Sequence, residues 1–325
     1  MLRIEILDDQ GRWDELVSRS GGHPLQLWGW GELKSAHGPW TATRIQVGDL
    51  GGAQVLTRKL PVPFRKLCYV PRGPFVADAG NRREVLDALA GWAKSQGAVE
   101  LKIEPDWCES DGVDEFRPSG NNVLIPRTIV LDLEQTEEQL LAANSKKTRQ
   151  YIHKSERAGV TVRRTCDPTD VAAALGIYHE TAKRADFALH ADSYYHDMNT
   201  FLGDASQLYL AEFEGRPLSF LWLATTPSTA FELYGGMNDE GQDLRANYIL
   251  KWTVICEKRS EGVRSYDLNG LLNDGVSNFK LGFSSTETHF IGTYDRPLSP
   301  LYNLWETGLP LGRKALQKLN KLRRG

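Results

Sequence analysis

The chain has 325 residues, of which 41% are apolar and 25% charged, and a net charge of −3. That length and apolar content suit two ordinary cores, and a charge so close to neutral does not mark the whole protein as a nucleic-acid binder. No apolar run can span a bilayer, and the opening MLRIEILDDQGRW lacks the basic flank and apolar core of a signal peptide, so a cytoplasmic globular protein is expected.

Residues 11–38 read as a helix pair around Trp13, Leu16 and Val17, then Trp28 to Ala36, split by the turn Gly21-Gly22-His23-Pro24. Strands over 42–47, 53–60 and 66–70 follow as an antiparallel meander, punctuated by Gly51-Gly52 and Pro61-Val62-Pro63. A helix over 82–96 ends at Gly97, and 99–103 forms the next strand. After a strand at 130–133, a helix opens at 136 and continues through a basic run to Gly159. Helices at 169–186 and 192–203 then precede strands at 207–213, 218–225 and 229–234, with a turn at Gly215 and a break at Gly235-Gly236. The helix 246–258 stops at Gly262, a strand covers 263–268, and Asn269-Gly270 leads through a loop to Asn278-Phe279-Lys280-Leu281-Gly282-Phe283. Finally, 297–304 crosses back to a leucine-spaced basic helix at 312–322.

One offset maps Tyr69 onto Tyr234 and Gly97 onto Gly262, which suggests a duplicated unit with a cut near residue 135. The expected domains are 1–135 plus 298–325, and 136–297. Cys68, Cys108, Cys166 and Cys256 include no C-x-x-C pair, so neither a zinc site nor a disulfide framework is expected. Cations concentrate at Lys146, Lys147, Arg149, Lys154, Arg157, Arg163 and Arg164, and again at Arg313 to Arg324. The first run reads equally as a solvated helix face or as a track for an RNA backbone.

Trp30 to Lys34, YVPRGP (69–74), LKIEP (101–105), KKTRQYIHKSERAG (146–159), YGG (234–236), YDLNG (266–270) and FKLGF (279–283) occur in an order that resembles the Fem family of aminoacyl-tRNA-dependent peptidoglycan aminoacyltransferases. The resemblance covers almost the whole chain. It implies a mixed α/β fold of two tandem acetyltransferase-like (GNAT-type) domains, with the C-terminal segment returning to the first. No sustained heptad repeat is present, so the form without a coiled-coil arm is expected.

By the same resemblance, Lys280, with Phe279 and Tyr234, faces the acceptor end of aminoacyl-tRNA, and Lys34 meets the phosphates of the nucleotide-sugar peptide. On composition alone, Lys280 is a lysine snorkelling over aromatics and Lys34 a solvated one. Arg72 is a substrate contact or an arginine held in a proline-bounded turn. His190 and Tyr194 stand where the family has an arginine and a tyrosine, so His190 replaces the arginine with a group only partly charged near neutral pH. Glu104, Asp106, Asp267 and Tyr234 are unranked polar partners for the reacting amine. Asn269 stands where the family has glycine, and asparagine tolerates the left-handed conformation.

The implied reaction carries an amino acid from aminoacyl-tRNA to a side-chain amine of UDP-MurNAc-pentapeptide or lipid II. It requires no metal, no cofactor and no covalent intermediate. A monomer is expected, with weak contact between its basic tail and the inner-membrane surface. An acyl-CoA-dependent N-acyltransferase is the rival enzyme, but Gln242 to Asn247 offers no glycine-rich pyrophosphate cradle. A non-catalytic RNA-binding module is the rival of another class.

Overall fold

The computed structural model describes residues 3–272 and 275–308, so the expected helix at 312–322 and the tail cations lie outside the described residues. Contacts divide the chain into two units: Met1–Trp13, Lys34–Leu124 and Phe290–Gly325 form one, Asp14–Leu33 and Ile125–His289 the other.

In the first unit, Ile4–Leu7, Thr41–Val47, Gly51–Lys59 and Lys66–Pro71 are successive antiparallel neighbours. The helix Arg82–Ser95 then returns the chain to Ala98–Glu104, which lies parallel to Lys66–Pro71. The helix can cross the sheet because Val85, Leu86, Leu89 and Ala93 form one fully buried stripe at helical spacing. Tyr294–Pro297 enters between Ala98–Glu104 and Arg117–Pro118 and completes this sheet. A buried Lys102–Asp295 ion pair and the bond from the Trp305 indole to Glu100 (3.1 Å) tie the returning segment down.

The second unit follows the same order. Ser206–Phe213, Arg216–Thr225 and Thr229–Met237 are antiparallel, the helix Ala246–Ser260 follows, and Ser265–Asp267 lies parallel to Thr229–Met237. Tyr69 and Tyr234 occupy corresponding strands, and Gly97 and Gly262 end corresponding helices in the left-handed region, at φ +74° and +84°. The fold is thus mixed α/β, built on two acetyltransferase-like units.

Several expectations differ from this structure. The cut expected near residue 135 falls eleven residues earlier, between Leu124 and Ile125, and the return at 289/290 rather than 298. The reason is pairing: Val130–Asp132 is already an edge strand of the second sheet, against Ser265–Asp267. Asp14–Leu33 also groups with the second unit, where the rings of His23 and Phe231 meet at 4.6 Å. Gly235-Gly236 does not break its strand, which runs on to Met237. A Cβ at Gly236 would stand 2.7 Å from the Phe220 ring, so Gly236 admits that ring while the ladder continues.

The single helix expected from 136 to 159 is two, Glu137–Ala143 and Lys146–Arg157, because Asn144 is extended and Ser145 caps the second through the Thr148 amide. Arg163 lies beyond both, in the strand Thr161–Thr165, where Asp170 and Glu212 hold it.

Gly29 has no room for a side chain. A Cβ there would stand 2.0 Å from the carbonyl oxygen of Phe201, a backbone atom that cannot swing away. Gly29→Ala is therefore expected to cost about 3 kcal/mol, the upper range for overpacking. Chemical denaturation checks it, and an unchanged midpoint would mean that the Trp28–Ala36 helix can shift.

Candidate functional site

The second unit contains a cavity of about 260 Å³. Its wall begins with an irregularity in the sheet. Trp222 pairs with Tyr234 but Leu223 with Glu232, so Leu233 is an extra residue that bends the strand. Glu232, Leu233 and Tyr234 all line the cavity as a result. Asn247 and Lys251 come from the Ala246–Ser260 helix, and Asn269, Phe279 and Lys280 close the far side.

Lys280 does not sit in a loop, as expected, but ends the short helix Gly275–Lys280. Its ammonium donates to the carbonyls of Asn269 (2.5 Å) and Gly270 (3.0 Å) while lining the cavity. These carbonyls are available because Asn269 adopts φ +57°, the left-handed conformation expected of it. The Asp267 carboxylate holds that turn, accepting from the Asn269 amide (2.7 Å) and the Thr128 hydroxyl (2.5 Å).

Phe279 stands edge-on to Tyr248 (4.9 Å) and Phe283 (5.3 Å). The following turn is clasped to the head of the Lys146–Arg157 helix, where Ser145 donates to the Gly282 carbonyl at 2.8 Å. A Cβ at Gly282 would lie 2.4 Å from the Thr148 hydroxyl, which explains a glycine beside the lysine.

Behind Phe279 lies a buried ion pair that sequence reasoning missed. Lys251 donates to both oxygens of Glu232, and the Tyr266 hydroxyl donates to the same carboxylate at 2.9 Å. The Lys251 ammonium lies 5.3 Å from the Phe279 ring centre and 5.8 Å from that of Phe283. Burial lowers the lysine's pKa, and the Glu232 charge opposes that shift. Burial also raises the Tyr266 phenol well above its usual range, with Glu232 adding to the rise. The available signal was a lone acid inside the apolar strand AFELY and a lone lysine between Leu250 and Trp252.

Tyr234 donates to the Tyr194 hydroxyl at 3.4 Å within a packed set of tyrosine rings. Burial, then the neighbouring phenols, push its pKa well above the usual range. It therefore keeps its proton and acts as a donor rather than a base. His190 is exposed and stacks on Tyr194 with ring centres 4.1 Å apart.

Lys34, Arg72, Glu104 and Asp106 belong to the first unit. Glu104 receives the Tyr69 and Thr293 hydroxyls and the amides of Val123 (2.8 Å) and Leu124 (3.0 Å), so its oxygens fix a loop. Arg72 is buried at φ +46°, with its guanidinium 4.7 Å from the Phe290 ring centre, in the proline-bounded turn. Asp106 follows the strand Ala98–Glu104 and is half-buried. Lys34, near the end of Trp28–Ala36, is half-buried, and desolvation brings its pKa to about 8.

Two acetyltransferase-like units, one holding a strand-bulge cavity with a lysine at its edge, define the class. Residues 119–216 and 214–307 match the FemAB family, and the chain belongs to it. The lipid II:glycine glycyltransferase of Staphylococcus aureus (strain USA300) is 26% identical, with 94% of this chain and 95% of that protein covered. Its alignment spans 404 positions, more than this chain contains, so that relative carries segments absent here. The crystal structure of FemX superposes with a TM-score of 0.82 at 23% identity, covering 94% of this chain and 100% of FemX. A tandem GNAT protein from the clavulanic acid pathway gives 0.51 at 15% identity, covering 92% and 99%. No helix among the described residues is long and apolar enough to cross a membrane.

Proposed function

We propose that this protein transfers an amino acid from aminoacyl-tRNA to the side-chain amine of a peptidoglycan stem peptide, on UDP-MurNAc-pentapeptide or lipid II, as a step in building the interpeptide bridge. The observation that carries this reading is Lys280 at the edge of a cavity that also exposes Tyr234 and Phe279, in a chain of the FemAB family. The ester of the donor is already activated. Aligning it with the amine can itself supply on the order of 7 to 11 kcal/mol.

Lys280 meets the negative charge that grows on the ester carbonyl, and Tyr234, its hydroxyl donating to Tyr194, shapes the cavity wall. The ammonium loses one proton before attack; the nitrogen–carbon bond then forms, the bond to the tRNA ribose oxygen breaks, and the amine's second proton passes to that departing oxygen. Glu104 and Asp267 hold their loops, so the first proton goes to a group of the substrate.

Transfer from coenzyme A is not favoured by the residues present. Where an acetyltransferase needs glycines, Arg245 holds the turn at φ +59°, with its guanidinium 4.8 Å from the Tyr151 ring centre. Offering the purified protein a pool of charged tRNAs with each precursor, and weighing the product, tests the reading. Product formed from acetyl-coenzyme A alone would overturn it.

Lys34 is assigned to the phosphates of the acceptor. Its charge is lost as pH rises through about 8, so the acceptor KM is expected to rise between pH 7 and 9. Lys34→Arg should flatten that rise, since arginine keeps its charge. Lys34→Ala should raise KM roughly tenfold with turnover nearly unchanged, the cost of one charge-assisted contact. An unaltered KM in Lys34→Ala would remove the assignment.

A further inference from the structure

The Lys146–Arg157 helix carries five lysines and arginines against one acid. Lys146, Lys147, Lys154 and Arg157 are exposed, on the side opposite the buried Thr148, Ile152 and Ser155. Among the described residues no carboxylate pairs with any of the four, and the acid on the helix, Glu156, pairs with His153. Elsewhere in this unit Arg163 pairs with Asp170 and Glu212, Arg184 with Asp239, and Arg216 with Glu214 and Glu240. A solvated structural helix has no need of such an imbalance, and like charges on one face repel.

The face also leads somewhere. Its first residues adjoin the turn after Lys280, through the Ser145 to Gly282 bond. From its middle, Tyr151 meets Tyr248 (4.9 Å), and Tyr248 meets Phe279 at the cavity wall (4.9 Å). Arg245 lies over Tyr151 at the head of the helix that supplies Asn247 and Lys251 to the cavity. The cations therefore form a stripe that ends where the candidate reaction occurs.

We propose that this helix face, continued by Arg245, is the docking surface for the phosphodiester backbone of the donor RNA next to its aminoacyl end. The inference rests on the function proposed above. The contact is sequence-independent, because compact ammonium groups on a helix surface meet phosphates and read no base edges. At about 1.5 Å per residue the 12-residue helix is roughly 18 Å long, enough to follow several phosphates.

The test is the double charge reversal Lys146→Glu/Lys147→Glu. Both residues lie in the first turn, where acids suit the helix dipole, so folding is not endangered. Fluorescence anisotropy with uncharged tRNA should show at least a tenfold weaker Kd at low salt, and a log Kd against log salt slope smaller by roughly 1 to 2. The donor KM should rise in parallel while the acceptor KM stays constant. Equal tRNA affinity and equal salt slope in the two proteins would overturn the proposal, whether or not aminoacyl-tRNA proves to be the donor. So would unchanged tRNA binding accompanied by lost binding to phosphatidylglycerol vesicles, which would assign the stripe to a membrane. Failure of the wild-type protein to transfer from charged tRNA, with the anisotropy difference intact, would instead sink only the proposed reaction.

Discussion

Lys280→Ala is expected to lower turnover with aminoacyl-tRNA by roughly a hundredfold or more, the usual loss when one preorganised donor to a developing oxyanion is removed. The ammonium borders a cavity whose wall includes the apolar Phe279, Leu233 and Leu250, and a charge beside apolar surface acts more strongly than one in open water. Two carbonyls, of Asn269 and Gly270, hold it in place, so it does not have to be ordered during the reaction. Those same bonds give the lysine a second role, in fixing the turn after Ser265–Asp267. The two roles separate by measurement. A loss of charge lowers turnover and leaves acceptor KM and the melting temperature nearly unchanged, whereas a loosened turn lowers the melting temperature first. Lys280→Arg should recover only part of the rate, because a planar fork cannot place its charge where an ammonium does while satisfying both carbonyls. Near-normal turnover in Lys280→Ala would make this residue a loop anchor and displace the reaction from the cavity.

Lys251→Met should produce the largest loss of stability of any single change at the site. The pair it breaks is buried, with Lys251 and Glu232 side chains 5% and 7% exposed. Removing one partner strands the other as an uncompensated charge, which costs on the order of 3 to 5 kcal/mol. Stability of the variant should therefore increase as pH falls, where the stranded carboxylate takes up a proton that the unfolded chain binds less readily. Adding Glu232→Gln should restore much of the loss, because an amide leaves no buried charge. Thermal and urea unfolding of the two single variants and the double variant would show it. Additive losses in the double variant would mean that the residues act separately. Activity of a refolded Lys251→Met should also suffer, since the ammonium lies against Phe279 and Phe283, the rings that seat the Lys280 helix.

Much of the architecture was legible because local signals and global pairing agree. The stripe Val85, Leu86, Leu89 and Ala93, the left-handed Gly97 and Gly262, and the apolar meander of 42–70 each follow from periodicity and turn chemistry. Their spacing also revealed the duplication, since Tyr69 and Tyr234 recur at the same point of each plan. Lys280 stood out only through the order of the motifs around it, because a lysine between phenylalanines has no chemistry of its own in sequence. Tertiary structure alone decided that Gly235-Gly236 would continue a strand, since the Phe220 ring that takes the place of a Gly236 side chain comes from a neighbouring strand. It likewise decided that Val130–Asp132 belongs to the second sheet, and that Glu104 and Asp267 accept hydrogen bonds from loop amides. The same holds for Glu232 and Lys251. They stand nineteen residues apart in the chain, and a bulge at Leu233 and the crossing of the Ala246–Ser260 helix place one charge on the other. Periodicity marks which residues are buried, but the partner that makes a buried charge tolerable is set by packing between elements, to which a one-dimensional pattern has no access.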